Sequence, residues 1–135
     1  MGNDGDGILV GEPGGLGWNE LMTRDAAKAS EFYGKLTGWQ FTQMPMDDFD
    51  YTMASSGETP AAGFMPMSGP DFEGVPPHWL VYIAVADCDE IANKISQTGG
   101  KLMVPPTDTP VARFSIAADP QGAVFAVIAL TEQNY

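Results

Sequence analysis

Few side chains in this sequence are equipped for chemistry, and their spacing narrows what that chemistry is. There is one histidine, His78, one cysteine, Cys88, and six lysines and arginines against eighteen aspartates and glutamates. A catalytic divalent cation needs about three protein donors. His78 stands beside Pro77 at the start of an apolar run, and Glu20 interrupts another, Trp18-Asn19-Glu20-Leu21-Met22-Thr23. That is two donors, and most other carboxylates fall where caps and loops are expected. His78 therefore reads either as a surface residue or as half of a displaced site. Cys88 follows Asp87 at a helix start, where the helix dipole lowers a thiol pKa. No base stands beside it, so a small buried residue is the other reading. Arg113 opens a strand and suits either an anionic substituent of a ligand or an ion pair with one of the acids. Asp47-Asp48-Phe49-Asp50 reads as a loop.

The elements that must position these residues occur twice, 62 positions apart: Asp25 aligns with Asp87 and Gly38 with Gly100. Each Asp is a good N-cap, and Glu90 adds a capping-box pattern to the second. Ala26, Ala29, Phe32, Tyr33 and Leu36 share one face of the first helix, and Cys88, Ile91 and Ile95 one face of the second. Gly38 ends the first and Gly99-Gly100 the second. Strands are expected at 18–23 and 80–85 before the helices. After them come 39–43, 51–55 and 61–67 in the first copy, and 101–105, 111–117 and 123–130 in the second. Asp119-Pro120-Gln121-Gly122 is a turn between the last two. Each copy reads βαβββ, one supersecondary unit unable to bury its apolar face alone. The expected organisation is a loose segment 1–14 and a single domain 15–135, with module one at 15–67, a Pro- and Gly-rich linker at 68–77 and module two at 78–130.

Composition removes several classes of function. A net charge of −12 without clustered basic residues argues against nucleic acid and anionic membrane surfaces. With 44% hydrophobic residues a packed globule is expected. No apolar run is long enough to span a bilayer, and the start of the chain lacks a secretory or myristoylation pattern. A lone cysteine excludes an intrachain disulfide, and a cytoplasmic location follows as the default. The Gly14-Gly15-Leu16-Gly17 cluster precedes a strand instead of following one, so it is no dinucleotide fingerprint.

These landmarks resemble the vicinal oxygen chelate superfamily of glyoxalases, extradiol dioxygenases and bleomycin and fosfomycin resistance proteins. The resemblance is carried by Asp25, Phe32-Tyr33 and Gly38-Trp39, then by Asp87, Gly99-Gly100 and Asp119-Pro120-Gln121-Gly122. The opening Trp18-Asn19-Glu20-Leu21 looks most like a glyoxalase-like subset with W-x-E-L in its first strand. The resemblance implies an α+β fold in which two βαβββ modules form a cupped mixed sheet. It also implies metal ligands at four places, which here hold Trp18, Leu80, Ala126 and the segment 63–67, with no Asp, Glu or His among them. No metal or other cofactor is therefore expected.

By the same resemblance, strand alternation places Trp18, Glu20 and Met22, then Leu80 and Tyr82, then Val124 and Ala126 as the lining of the cup, with Arg113 as a further ligand contact. The alternate residues Leu21, Val81, Ile83, Phe125 and Val127 are expected beneath the helices. Glu20 and Tyr82 are equivalent under the 62-residue offset. Glu20 is either a proton-transfer group, its pKa raised by desolvation, or a buried acid satisfied by tyrosine or backbone partners. Met44, Met46, Met65 and Met67 suit an adaptable binding surface, core filling or a subunit contact. The expected function is binding of a small apolar or aromatic molecule without the usual metal. The alternative is a lyase, isomerase or dioxygenase using a displaced metal or Glu20 as base. A third is an interaction protein with a vestigial cleft. A homodimer is expected.

Overall fold

The computed structural model describes residues 11–130, apart from the side chain of Asp71. Its elements follow the order β1 (Leu16–Thr23), α1 (Ala26–Thr37), β2 (Gln40–Pro45), β3 (Asp50–Ser56) and β4 (Thr59–Pro66). After a single 3-10 turn, Pro70–Phe72, come β5 (His78–Ala84), α2 (Cys88–Gln97), β6 (Lys101–Asp108), β7 (Ala112–Ala118) and β8 (Val124–Leu130). This is βαβββ twice, the α+β fold that the duplicated pattern implies. The caps form as their residue types dictate. Asp25 Oδ1 accepts from the Lys28 N–H at 3.0 Å and Asp87 Oδ1 from the Glu90 N–H at 3.1 Å. Gly38 takes the left-handed conformation (φ 79°) and its N–H donates to Gly34 O at 2.8 Å; α2 closes on Thr98. Asp119 holds the last turn by accepting from Gln121 and Ala123 N–H groups, both at 2.9 Å.

The compact units do not coincide with the sequence modules. Asn19–Leu80 makes one unit, and the other joins the chain up to Trp18 to the chain from Val81 onward. The boundaries thus cut β1 and β5 near their beginnings. In the second unit, Gly14 N–H donates to Ala84 O and Ala84 N–H to Gly15 O, at 2.7 and 2.8 Å. Gly14 falls in the segment expected to be loose and Gly15 in the expected domain; residues 1–10 lie outside the described ones.

Within Asn19–Leu80 the strand order is β2-β3-β4-β1, antiparallel except for the parallel pair β4/β1. Alternation sends Leu21, Ala54, Ala62 and Phe64 to one face, where Ala26, Ala29, Tyr33, Trp39 and Phe41 cover them. Phe64 is fully buried, and truncating it to alanine is expected to cost about 3–5 kcal/mol. Phe32 and Leu36 depart from the expected helix face, at 60% and 67% exposure. Tyr33 takes the space instead, packed against Trp39, Phe64 and Trp79, and its hydroxyl accepts from Trp79 Nε1 at 3.1 Å.

The second unit repeats the plan, with the order β5-β8-β7-β6 and the parallel pair β5/β8. Cys88, Ala92 and Ile95 are the buried residues of α2. That helix packs on β6, β7 and β8. Val127 is buried and Ile83 and Phe125 half-buried, whereas Val81 on β5 is exposed, contrary to expectation. β6 runs three residues further than its sequence signal, through Pro105-Pro106. It tolerates them as an edge strand with two register shifts against β7.

Candidate functional site

Glu20 lies on β1 and Tyr51 on β3, with β4 between them, so about 10 Å separates their backbones. Their side chains nevertheless meet: the Tyr51 hydroxyl donates to Glu20 Oε2 at 2.9 Å. The intervening strand makes this contact possible. Glu20 is in register with Gly63 on β4, and Met53, two residues from Tyr51, is in register with the same glycine. A Cβ on Gly63 would overlap the Tyr51 hydroxyl and ring. The phenol therefore crosses β4 through the gap that glycine leaves. Glu20 is 8% exposed, and the phenol O–H replaces part of the hydration that burial removes. The pair supplies a fixed carboxylate acceptor that can hold a donor group of a ligand or take up a proton.

Four methionines share this face. Met22 is in register with Met65 across β1/β4, Met44 with Tyr51 across β2/β3, and Met53 with Gly63. Exposure grows outward: Met22 is buried, Met53 and Met65 are half-buried, and Met44 is 39% exposed.

The second unit holds a different pair at the corresponding places. Tyr82 on β5 is in register with Ala126 on β8, as Glu20 is with Gly63, and Phe114 on β7 corresponds to Tyr51. The Tyr82 and Phe114 rings contact each other, centroids 6.3 Å apart, with fully buried Ala126 on the strand between. The equivalence of Glu20 and Tyr82 read from the 62-residue offset thus holds in strand register.

The remaining candidates are distributed as follows. Met22, Leu80, Tyr82 and Ala126 are buried, Trp18 is half-buried, and Val124 at the start of β8 is 43% exposed. Glu20, Met22 and Leu80 belong to the Asn19–Leu80 unit, and Trp18, Tyr82, Arg113, Val124 and Ala126 to the other. Arg113 realises the pairing alternative: Nη2 lies 3.1 Å from Asp89 Oδ1 and Nη1 2.9 Å from Asp108 Oδ1. The hydrogen bonds that its guanidinium donates to Asp89 and then Asp108 push its pKa up. Cys88 is buried and free, and burial, reinforced by Asp89, pushes its thiol up rather than down, which corrects the helix-dipole reading.

The family's metal can be tested against the donors present. Trp18, Leu80 and Ala126 carry no oxygen, imidazole or thiolate ligand, and neither does 63–67. Among the described residues no three His, Cys, Asp or Glu side chains gather as a cation would require. His78 Nδ1 donates to Pro76 O at 2.9 Å, within its own approach to β5. These residues do not fit a chelated divalent cation.

Tyr51 and Gly63 were not legible as site residues. The signal lay in register: an acid opposite a strand glycine, with a tyrosine one strand beyond.

A family model described as the Glyoxalase/Bleomycin resistance protein/Dioxygenase superfamily matches residues 15–127. "Putative glyoxylase CFP32" of Mycobacterium tuberculosis is 39% identical over 122 residues, 89% of this chain and 46% of that protein. "Anthracycline biosynthesis protein DnrV" of Streptomyces peucetius is 34% identical over 124 residues, 92% of this chain and 44% of that protein. The chain thus spans about half the length of the curated relatives it matches. Among solved structures, methylmalonyl-CoA epimerase from Mycobacterium tuberculosis aligns with a TM-score of 0.61 at 15% identity, covering 87% of this chain and 89% of that one.

Proposed function

From the premise that this chain belongs to the Glyoxalase/Bleomycin resistance protein/Dioxygenase superfamily, we propose that it binds a small apolar or aromatic molecule without that superfamily's usual metal. One observation carries the reading. Where the family chelates a cation, this chain has Trp18, Leu80 and Ala126, while Glu20 is held by the Tyr51 hydroxyl at 2.9 Å across Gly63. A carboxylate fixed by a phenol and flanked by thioethers suits a largely apolar ligand with one hydrogen-bond donor. The name of the Streptomyces peucetius relative, an anthracycline biosynthesis protein, supports an aromatic ligand. Met22 and Leu80 in the Asn19–Leu80 unit remain proposed ligand contacts, as do Trp18, Tyr82, Val124 and Ala126 in the other unit taken by itself, with Arg113 set aside because two carboxylates engage it.

The test is metal content together with melting temperature. As purified, the protein is expected to carry no stoichiometric transition metal and to melt at the same temperature with or without EDTA. A bound metal would be linked to folding, so its removal would lower the melting temperature. About one equivalent of zinc, iron, manganese or nickel, with a stability loss in chelator, would overturn the reading.

A second reading is an enzyme in which Glu20 moves a proton. The buried position of its carboxylate and the phenol beside it favour that reading, and Glu20→Gln would then abolish turnover while preserving the melting temperature. We also propose a homodimer, supported by the exposed Phe32 and Leu36 on α1, and a cytoplasmic setting, supported by the free buried thiol of Cys88. No described helix is long and apolar enough to cross a membrane.

A further inference from the structure

We infer that the methionine-lined strand face of the Asn19–Leu80 unit is the ligand bed, and that it takes a flat aromatic molecule carrying a protonated amine directed at Glu20. The inference rests on the small-molecule-binding reading and narrows it to one unit and one ligand chemistry.

The duplication supplies the argument, because the same backbone positions are filled twice. Strand register equates Met22 with Ala84, Met53 with Ile116 and Met65 with Ile128, just as it equates Glu20 with Tyr82, Gly63 with Ala126 and Tyr51 with Phe114. In the second unit, branched aliphatics and an aromatic pair suffice to build this sheet face. Packing therefore does not demand methionine at Met53 or Met65, nor an acid at position 20. The first unit replaces stiff side chains by flexible, polarisable ones and sets a carboxylate among them. Thioethers adapt to irregular apolar surfaces and make favourable contacts with aromatic rings. Glu20 is the one charged side chain among the positions just equated, so charge complementarity selects a cationic donor. The overall charge of −12 attracts such a molecule and disfavours an anion. Exposure rises from buried Met22 on β1 to Met44 on β2, which sets the amine at the inner end and the ring system toward the outer strands.

Daunorubicin, a planar anthracycline bearing a primary amine, and its aglycone, which lacks that amine, are suitable probes. The protein is labelled with [methyl-13C]methionine and each signal assigned by a single Met→Leu variant. Daunorubicin is expected to shift Met44, Met53 and Met65 and to leave Met103 unmoved. It is expected to bind roughly tenfold more tightly than the aglycone, a preference lost in Glu20→Gln. Met53→Ile and Met65→Ile install the second unit's own residues, so they are expected to fold normally while weakening the probe several-fold. Binding with shifts confined to Met103, or with no methionine moving, would overturn this inference and leave the binding reading intact. Failure of both probes to bind would overturn both. Equal affinity for both probes in the native protein would remove the role given to Glu20.

Discussion

Replacing Gly63 by alanine tests the geometry on which the site rests. The added Cβ would occupy the space of the Tyr51 hydroxyl and ring, so the phenol must leave its path across β4 and release Glu20. Losing a hydrogen bond to a charged, buried acceptor costs about 1.5–3 kcal/mol. Alanine is otherwise better than glycine in a strand interior by roughly 0.5–1 kcal/mol, which offsets part of the loss. A net destabilisation of about 1–2 kcal/mol is expected, or very roughly 3–10 °C in melting temperature for a chain of this size. The assay is guanidinium unfolding followed by circular dichroism, run as a double-mutant cycle with Tyr51→Ala. With the ring absent, Gly63→Ala has nothing to displace and is expected to be neutral or slightly stabilising. An equal loss in both backgrounds would show that alanine at position 63 clashes with something other than Tyr51. A native-like Gly63→Ala single variant would show that the phenol can hold Glu20 from elsewhere.

Three further outcomes follow from the same structure. The raised Cys88 pKa means that the unfolded chain ionises first, near the ordinary value of 9.0. The buried thiol's contribution is thus complete below that pH and declines above it, and Cys88→Ala is expected to flatten the alkaline fall in stability seen by urea denaturation between about pH 8 and 10. Arg113→Met is expected to leave daunorubicin affinity within about twofold by fluorescence titration, because its guanidinium serves Asp89 and Asp108; a tenfold loss would restore it as a ligand contact. Phe32→Glu with Leu36→Glu is expected to convert a particle of twice the chain mass into one of single mass by light scattering. A native protein already of single mass would remove the homodimer.

The repeat made the fold readable. Asp25 and Asp87, each followed by an apolar stripe, a helix end and three strand signals, fixed βαβββ twice, and the caps formed with the partners their types require. Which apolar residues a helix covers was less legible. Phe32, Tyr33 and Leu36 are equally apolar in pattern, yet only Tyr33 reaches the Phe64 core, since its ring and hydroxyl also satisfy Trp79. Glu20 stood out as an acid within an apolar strand, and burial agrees with that reading. Tyr51 and Gly63 did not, because alternation along one strand says nothing of register between strands. Their meeting depends on parallel pairing of β1 with β4, elements 35 or more residues apart in the chain. The limits of the compact units were hidden for a similar reason, since they fall within β1 and β5, where the sequence runs on without a break.

Isothermal titration of daunorubicin into the metal-free protein in EDTA, repeated after adding excess manganese or zinc, tests most directly whether this chain binds its ligand without the family's cation. Saturable one-to-one binding is expected in EDTA, with an affinity unchanged by either metal and reduced in Glu20→Gln. Heat of binding that appears only after the metal is restored would contradict it.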